Sequence, residues 1–569
     1  MLTDVVTKFT GNKRAFGIIA HPTQFADPLG FSYGIGELGS AVLEWIDFLH
    51  QSNTHFWQVL PLGHTHPQYG NSPYQSFSRF AGDPNVISIE HMLRDGYITQ
   101  DQHDRYSHEA YLHKRQRIFS IKYWQGGFSH ALWEGRIGAF FEERIDYEWI
   151  LEHKLGTYND SNAILRQAYR NCVEGNSRLL NEFHEWVSQQ GDWLSKYAEF
   201  MGIREIQNFS DWVSWSDEYK DVKAWRKNKE SILQGNQKLA VAIDFYKFEQ
   251  FLFFKHWGRI REFSRDKGVN IIGDFPIGVA PNSADVWANP DLFILDESGS
   301  PQTVMGYLPD RFSKTGQKWG MPLFNLEKPE TIEWLADSVV HYYKIFGYNL
   351  IRFDHFQGVV ALYGIPYDKD PIKGKFYFVP GAGEKLMEKI KVRLLQEKII
   401  SEGGSIPFIV EYFDGDANVP DQITTEVQAL LKDYGFPIMS TVQTDAMNGK
   451  NLANKQNTAL YTGTHDNMTA MNFMRRFGNL LKITSQYSQA QKVLSQISPK
   501  TTLPASWIPI AMASQSEAAL ALCMYQDVFG ISQNTNYPGH GNSWMARAHA
   551  INYGRYEQVL AKLNQTTNR

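Results

Sequence analysis

The chain reads as a parallel α/β barrel whose acidic side chains gather on one face. Three observations predict this. Strand-like apolar runs alternate with helix-like segments along much of the 569 residues. Three of the runs end on a carboxylate: Asp274 closes NIIGD, Asp354 closes NLIRFD and Glu411 closes PFIVE. A fourth, ALYTGTHD, carries His465 and Asp466 at its end. Parallel strands joined by helices present all their C-terminal ends on one side, so these acids converge there. Carboxylates that converge without a cysteine or histidine cluster suit glycosidic-bond chemistry.

The first strand is expected at 16–21, followed by a Gly-rich turn and a helix over 38–49. A second strand at 55–62 leads into the loop HTHPQYGNSPYQSFS. Residues 85–238 show helical periodicity and few β-branched runs, so they read as a helical insertion between 1–84 and 239–569, which form the barrel. A helix over 240–268 has an aromatic face and stops at a glycine, a favourable C-terminal cap. VNIIGDFPI follows at once. Helices near 331–346, 384–401 and 420–433 feed NLIRFD, IPFIVE and FPIMSTVQ; ALYTGTHD comes next, and a helix near 514–525 precedes a C-terminal loop. No repeat of 20–50 residues is present.

Composition narrows the function. With 43% hydrophobic and 21% charged residues the chain is an ordinary soluble globular protein. A net charge of -5 gives no support to a nucleic-acid or anionic-membrane partner. Cys172 and Cys523 are the only cysteines and form no CxxC pair, which suits two reduced thiols. No apolar stretch approaches the roughly 20 residues of a membrane span. The N-terminus lacks a signal core, so a cytoplasmic location is expected. The many aromatic residues serve the core, and some serve as stacking platforms for sugar rings; composition does not separate the two. No P-loop and no GxGxxG opening a helix is present, so no cofactor is expected, and no metal-ligand spacing is seen.

In GIIAHPT with YGIGELG, WQVLPLG, SPYQSFS, IIGDFPIGVA with SADVWANPDLF, GQKWG, RFDHF, VEYF, YTGTHDN, QDVFG and PG-GNSW the sequence resembles the amylomaltases, disproportionating 4-α-glucanotransferases of the α-amylase clan. The motifs run in family order from about residue 17 to 544. The resemblance implies a (β/α)8 TIM barrel with large helical insertions and no separate C-terminal β domain. It implies maltooligosaccharides and other α-1,4-glucans as substrates of a monomer or homodimer.

The resemblance also implies roles. Asp354 falls at the nucleophile, which must be ionised to attack the anomeric carbon. Arg352, two residues earlier on the same strand, faces the same side and would keep it so; an ordinary surface ion pair is the other reading. Glu411 falls at the general acid/base, in an apolar run that tends to raise a carboxyl pKa. A solvated acid at a loop start is its alternative. Asp466 matches the third acid, which grips sugar hydroxyls, with His465 beside it. Asp274 would hold the strand end by pairing with Arg352. Ser72 and Tyr74 of SPYQ would line the sugar before the scissile bond, Tyr74 by stacking. Gln317 and Trp319 of GQKWG belong to a mobile loop over the acceptor side, Asn542 is a further sugar contact, and Tyr69 touches a remote glucan groove. Retention of configuration places the Asp354 and Glu411 carboxyls roughly 5–5.5 Å apart.

Some positions depart from the family pattern: Tyr412-Phe413-Asp414 after Glu411, Gln357, Met468, Met321 and Asn71. All three acids are kept. An α-glucan hydrolase using the same acids, and a glucan-binding protein of reduced activity, are the competing functions.

Overall fold

The computed structural model describes residues 2–25, 33–119, 145–157, 162–175, 177–309, 313–369, 377–412, 419–449, 457–482, 484–499, 502–536, 544 and 553–569. Eight parallel strands close a barrel: β1 (Ala15–Ile19), β2 (Phe56–Gln58), β3 (Asn270–Phe275), β6 (Leu350–Phe353), β9 (Phe408–Val410), β10 (Ile438–Thr441), β11 (Thr458–Tyr461) and β12 (Leu520–Met524), in that order around the ring. Two further pairs, β4 (Thr303–Tyr307) with β5 (Gln317–Pro322) and β7 (Ala361–Pro366) with β8 (Tyr377–Pro380), join into one antiparallel sheet. The first pair follows β3 and the second follows β6. The sequence reading does not anticipate this sheet.

Strand alternation explains both the core and the site. Ile272, Leu350, Ile409, Leu520 and Leu522 belong to one buried cluster inside the barrel. Their neighbours Ile271, Ile351, Phe408, Val410, Ala521 and Cys523 belong to the larger core outside it. Two residues beyond the interior leucines and isoleucines, the same faces carry Asp274, Arg352 and Glu411. The barrel interior therefore turns from apolar to charged toward its C-terminal rim. Gly273 sits between Ile272 and Asp274, where a Cβ would come 2.2 Å from the Tyr348 ring. Only glycine lets that ring lie against β3.

The 30-residue helix Gln237–Asp266 before β3 starts where the Asn236 side chain accepts from the Leu239 N–H, and ends before Gly268 at φ +68°. Its face carries Phe245, Phe248, Phe251 and Trp257, all buried. Each such phenylalanine contributes about 1.5–3 kcal/mol on leaving water. Between β2 and β3 every regular element of the described residues is helical. Within this stretch the fully buried Lys154 donates to Glu37 at 2.5 Å and to the Asn85 carbonyl at 2.8 Å, pinning the stretch to the barrel. No helix among the described residues is long and apolar enough to cross a membrane.

Two expectations are corrected. The helix expected near 514–525 is instead a helix at Trp507–Gln515 followed by β12, the eighth barrel strand. All five residues of β12 are buried, so LALCM lacks the alternation that marks a half-exposed strand. GQKWG is not a free loop: Gln317 and Trp319 lie on β5, with Tyr307 opposite Gln317 on β4.

Candidate active site

The site is built around Arg352. Asp274 and Arg352 are register partners on β3 and β6, so their side chains leave the sheet side by side. Arg352 Nη1 donates to Asp274 Oδ1 at 2.8 Å and to Asp354 Oδ1 at 2.7 Å. Its Nη2 lies 2.8 Å from Glu411 Oε1. The guanidinium is 1% exposed and Asp274 is 0%, whereas the Asp354, Glu411 and Asp466 side chains are 19%, 17% and 31% exposed. One fixed cation thus lies beneath acids that still reach the pocket.

Backbone ties set the rim. Asp354 N–H donates to the Phe275 carbonyl, Glu411 N–H to Phe353 and Phe356 N–H to Glu411. These bonds continue the ladders past the strand ends and lock β3, β6 and β9 together. His355 N–H donates to Glu411 Oε2 at 3.0 Å.

Tyr74 brings in the opposite wall. Its hydroxyl donates to Asp274 Oδ2 at 2.7 Å, receives Arg352 Nη1 at 3.3 Å and meets His465 Nε2 at 3.1 Å. His465 Nε2 lies 3.2 Å from Asp466 Oδ2, and Asn536 Nδ2 donates to Asp466 Oδ1 at 2.5 Å. The Tyr74 and His465 rings stack at 5.4 Å, with Trp544 packed against both. Beneath the THDN turn, buried Asp527 accepts from Thr462 Oγ1 at 2.6 Å and from the Ala470 N–H at 2.7 Å.

These contacts tune the acids differently. Burial raises the Asp354 carboxyl well above its ordinary range; Arg352 opposes the rise, while Glu411 and Asp274 add to it. Burial would raise Glu411 too, but Arg352, a hydrogen bond with Asp354 and the His355 N–H outweigh it and leave Glu411 lowered. For Asp466 burial is outweighed by His465 and Asn536, and the carboxyl falls to about 2. Burial also raises Asp274 against the pull of Arg352 and His465. Asp354 and Glu411 therefore titrate together, with Asp354 the higher of the two.

Both carboxyls are drawn onto the same guanidinium, Asp354 through Nη1 at 2.7 Å and Glu411 through Nη2 at 2.8 Å.

The structure brings Asp274, Arg352, Asp354, Glu411, His465, Asp466 and Tyr74 together. The Ser72 hydroxyl accepts from the Tyr74 N–H at 3.4 Å. Trp319 joins the site by its ring, 5.0 Å from that of His355, and its carbonyl accepts from Gln75 at 2.7 Å. Gln317 accepts the Trp319 indole N–H at 3.1 Å. Tyr69 is half-buried against Phe77, away from the acids. Asn542 lies outside the described residues, as do Phe413 and Asp414. Sequence reasoning missed Asn536, Trp544, Tyr307 and Asp527; only the tryptophan of GNSW and the aspartate of QDVFG left a signal, each inside a motif without a role.

Fold and site together define a barrel enzyme acting on carbohydrate. The 4-alpha-glucanotransferase family profile, glycoside hydrolase 77, matches residues 28–552, and the chain belongs to that family. It is 32% identical to the 4-alpha-glucanotransferase of Synechocystis over 95% of this chain and 94% of that protein. With the Thermus thermophilus 4-alpha-glucanotransferase it shares 31% identity over 94% of each. The fold is that of the Streptococcus agalactiae amylomaltase solved in complex with acarbose: TM-score 0.74, 24% identity, covering 98% of this chain and 99% of that one.

Proposed function

We propose that the chain cleaves an α-1,4 bond of a maltooligosaccharide and passes the retained glycosyl unit to the 4-hydroxyl of a second glucan, with retention, in the cytoplasm. Family membership supports the activity. The observation that carries the residue roles is the placement of Asp354 and Glu411 on one common Arg352, at 2.7 and 2.8 Å. Retaining transfer needs one acid ionised and the other protonated at the same moment.

A glycosidic bond entering the pocket separates the two carboxyls. Arg352 Nη1, 2.7 Å from Asp354 Oδ1, then holds Asp354 as the anion, and the proton passes to Glu411. Asp354 attacks the anomeric carbon as Glu411 protonates the departing oxygen, giving a covalent glycosyl-enzyme. The ionised Glu411 next takes the proton of the acceptor hydroxyl, which displaces Asp354. Asp466, anionic throughout the working range, stabilises the oxocarbenium-like charge and grips hydroxyls together with His465. Tyr74 supports the sugar on the donor side and Trp319 the acceptor side.

Incubation with maltotriose tests this. Glucose together with maltopentaose and longer chains is the expected outcome. Reducing ends that accumulate without longer chains would establish hydrolysis instead.

A further inference from the structure

His355 follows the nucleophile directly, yet neither family motif nor chemistry gives it a task. Its backbone is left-handed, with φ +47° and ψ 54°. A residue with a Cβ pays about 1–2 kcal/mol in that region, and strain of this kind persists where the surroundings require it. Here the requirement is visible: the left-handed turn aims the His355 N–H at Glu411 Oε2, 3.0 Å away.

The ring does something else. It stands at 86° to Trp319 with centroids 5.0 Å apart, and at 89° to Tyr307 with centroids 5.4 Å apart. Tyr307 and Trp319 are themselves parallel within 6° at 6.3 Å, facing each other across the β4–β5 pair. One imidazole edge therefore braces both rings from the same side. Burial lowers the imidazole pKa to about 4, with Arg352 adding to the fall and Glu411 opposing it, so the ring is a neutral strut at working pH. No partner for its Nε2 is present among the described residues.

We propose that His355 is a positioning residue with two separable handles: its left-handed backbone sets the proton affinity of Glu411, and its ring props the Tyr307–Trp319 pair that receives the acceptor sugar. The inference deepens the glucanotransferase reading and rests on it. It explains why a histidine occupies a position that glycine would fill without strain. Glycine supplies the backbone and loses the brace.

The handles are separated by substitution. His355→Gly and His355→Asn both tolerate the left-handed turn and delete the ring's reach. His355→Val resists the turn because it is β-branched. The groups facing Glu411 are Arg352, Asp354, Asp466 and Tyr461 besides this N–H and the neutral His355 ring; only the ring changes, and it is lost equally in all three variants. Losing the N–H weakens the Glu411 carboxylate, so its pKa rises and the protonated acid persists to higher pH.

With maltotriose as donor and glucose as acceptor, the Gly and Asn variants should raise the acceptor KM about 5–10-fold, the loss of roughly one ring contact. The basic limb of their pH–kcat/KM profile should stay in place. His355→Val should move that limb upward by roughly one pH unit. Adding His355→Asn to Trp319→Ala should raise the acceptor KM little further, because the brace acts through the ring already removed. An Asn variant with parental acceptor KM would overturn the brace. Equal limb shifts in Asn and Val would overturn the backbone handle. If Val fails to fold by melting, the limb in Gly against parent decides that handle: a shift there overturns it, and none sustains it. Failure of the reading itself looks different, since the parent then makes no chain longer than maltotriose at any pH.

Discussion

Replacing Arg352 by methionine tests the electrostatic design of the site. Methionine keeps the length and removes the charge. Three carboxyls lose their common cation: Asp274 at 2.8 Å, Asp354 at 2.7 Å and Glu411 at 2.8 Å. Removing one member of a buried ion pair costs about 3–5 kcal/mol, because the partner is left charged and unpaired. With unfolding entropy of about 2.1 cal/mol/K per residue over 569 residues, that is a fall of roughly 3–4 °C in Tm. The deficit must depend on pH. Without Arg352 the folded-state pKa values of Asp274 and Asp354 rise still further above the ordinary range. An acid whose folded pKa is raised supports the fold below its unfolded pKa and withdraws that support as pH rises through the folded value. Calorimetry should therefore find a larger deficit at pH 7.5 than at pH 5. Activity should fall about 10²–10³-fold, the usual loss for a charged donor in such a site. The acid limb of the remaining activity should move to higher pH, because Asp354 must be ionised to attack. An equal Tm deficit at both pH values, or an unmoved acid limb, would refute the single-cation account.

Three further outcomes are expected. Asp354→Asn should lower maltotriose disproportionation more than ~10³-fold, because the amide cannot attack the anomeric carbon. Tyr74→Phe deletes a hydroxyl that satisfies Asp274 Oδ2 in a buried site; at about 1–3 kcal/mol it should cost roughly 10–100-fold in kcat/KM. Asp527 is raised by burial from 3.8 to about 6, against hydrogen bonds from Thr462 and Ala470, so it supports the fold at low pH and withdraws support as pH climbs through 6. Asp527→Asn should therefore gain in Tm relative to the parent between pH 4.5 and 7, by calorimetry at both ends; a constant difference would show that Asp527 does not titrate there.

How much of this was legible depends on where side chains point. In NLIRFD the residues Leu350, Arg352 and Asp354 share one face, so a run that starts apolar and ends charged announces a strand climbing from core to rim. NIIGD and PFIVE carry the same signature, and the convergence of Asp274, Asp354, Glu411 and Asp466 follows from parallel strands alone. LALCM carries no such signature. Leu520 and Leu522 fill the interior while Ala521 and Cys523 meet the helices outside. With both faces apolar, the alanine and leucine content reads as helix, and only the open edges of β1 and β11 decide otherwise.

The antiparallel sheet was hidden for a different reason. Thr303 pairs with Pro366 and Gly306 with Tyr363, across the whole of β6 and its preceding helix, so no local turn signals the ladder. Yet that sheet is what carries Tyr307 and Trp319 to His355. The reacting acids sit on the barrel, where periodicity reveals them. The proposed acceptor side sits on segments joined only by tertiary pairing, where it does not. The same division places the departures from the family pattern. Met321 lies on β5, where its sulfur faces Gly278 beside that of Met305, and Gln357 is buried two residues past His355. Tyr412 and Met468, by contrast, follow Glu411 and Asp466 within two residues. On the proposed roles, the departures therefore border the cleaving acids as well as the rings proposed to receive the acceptor.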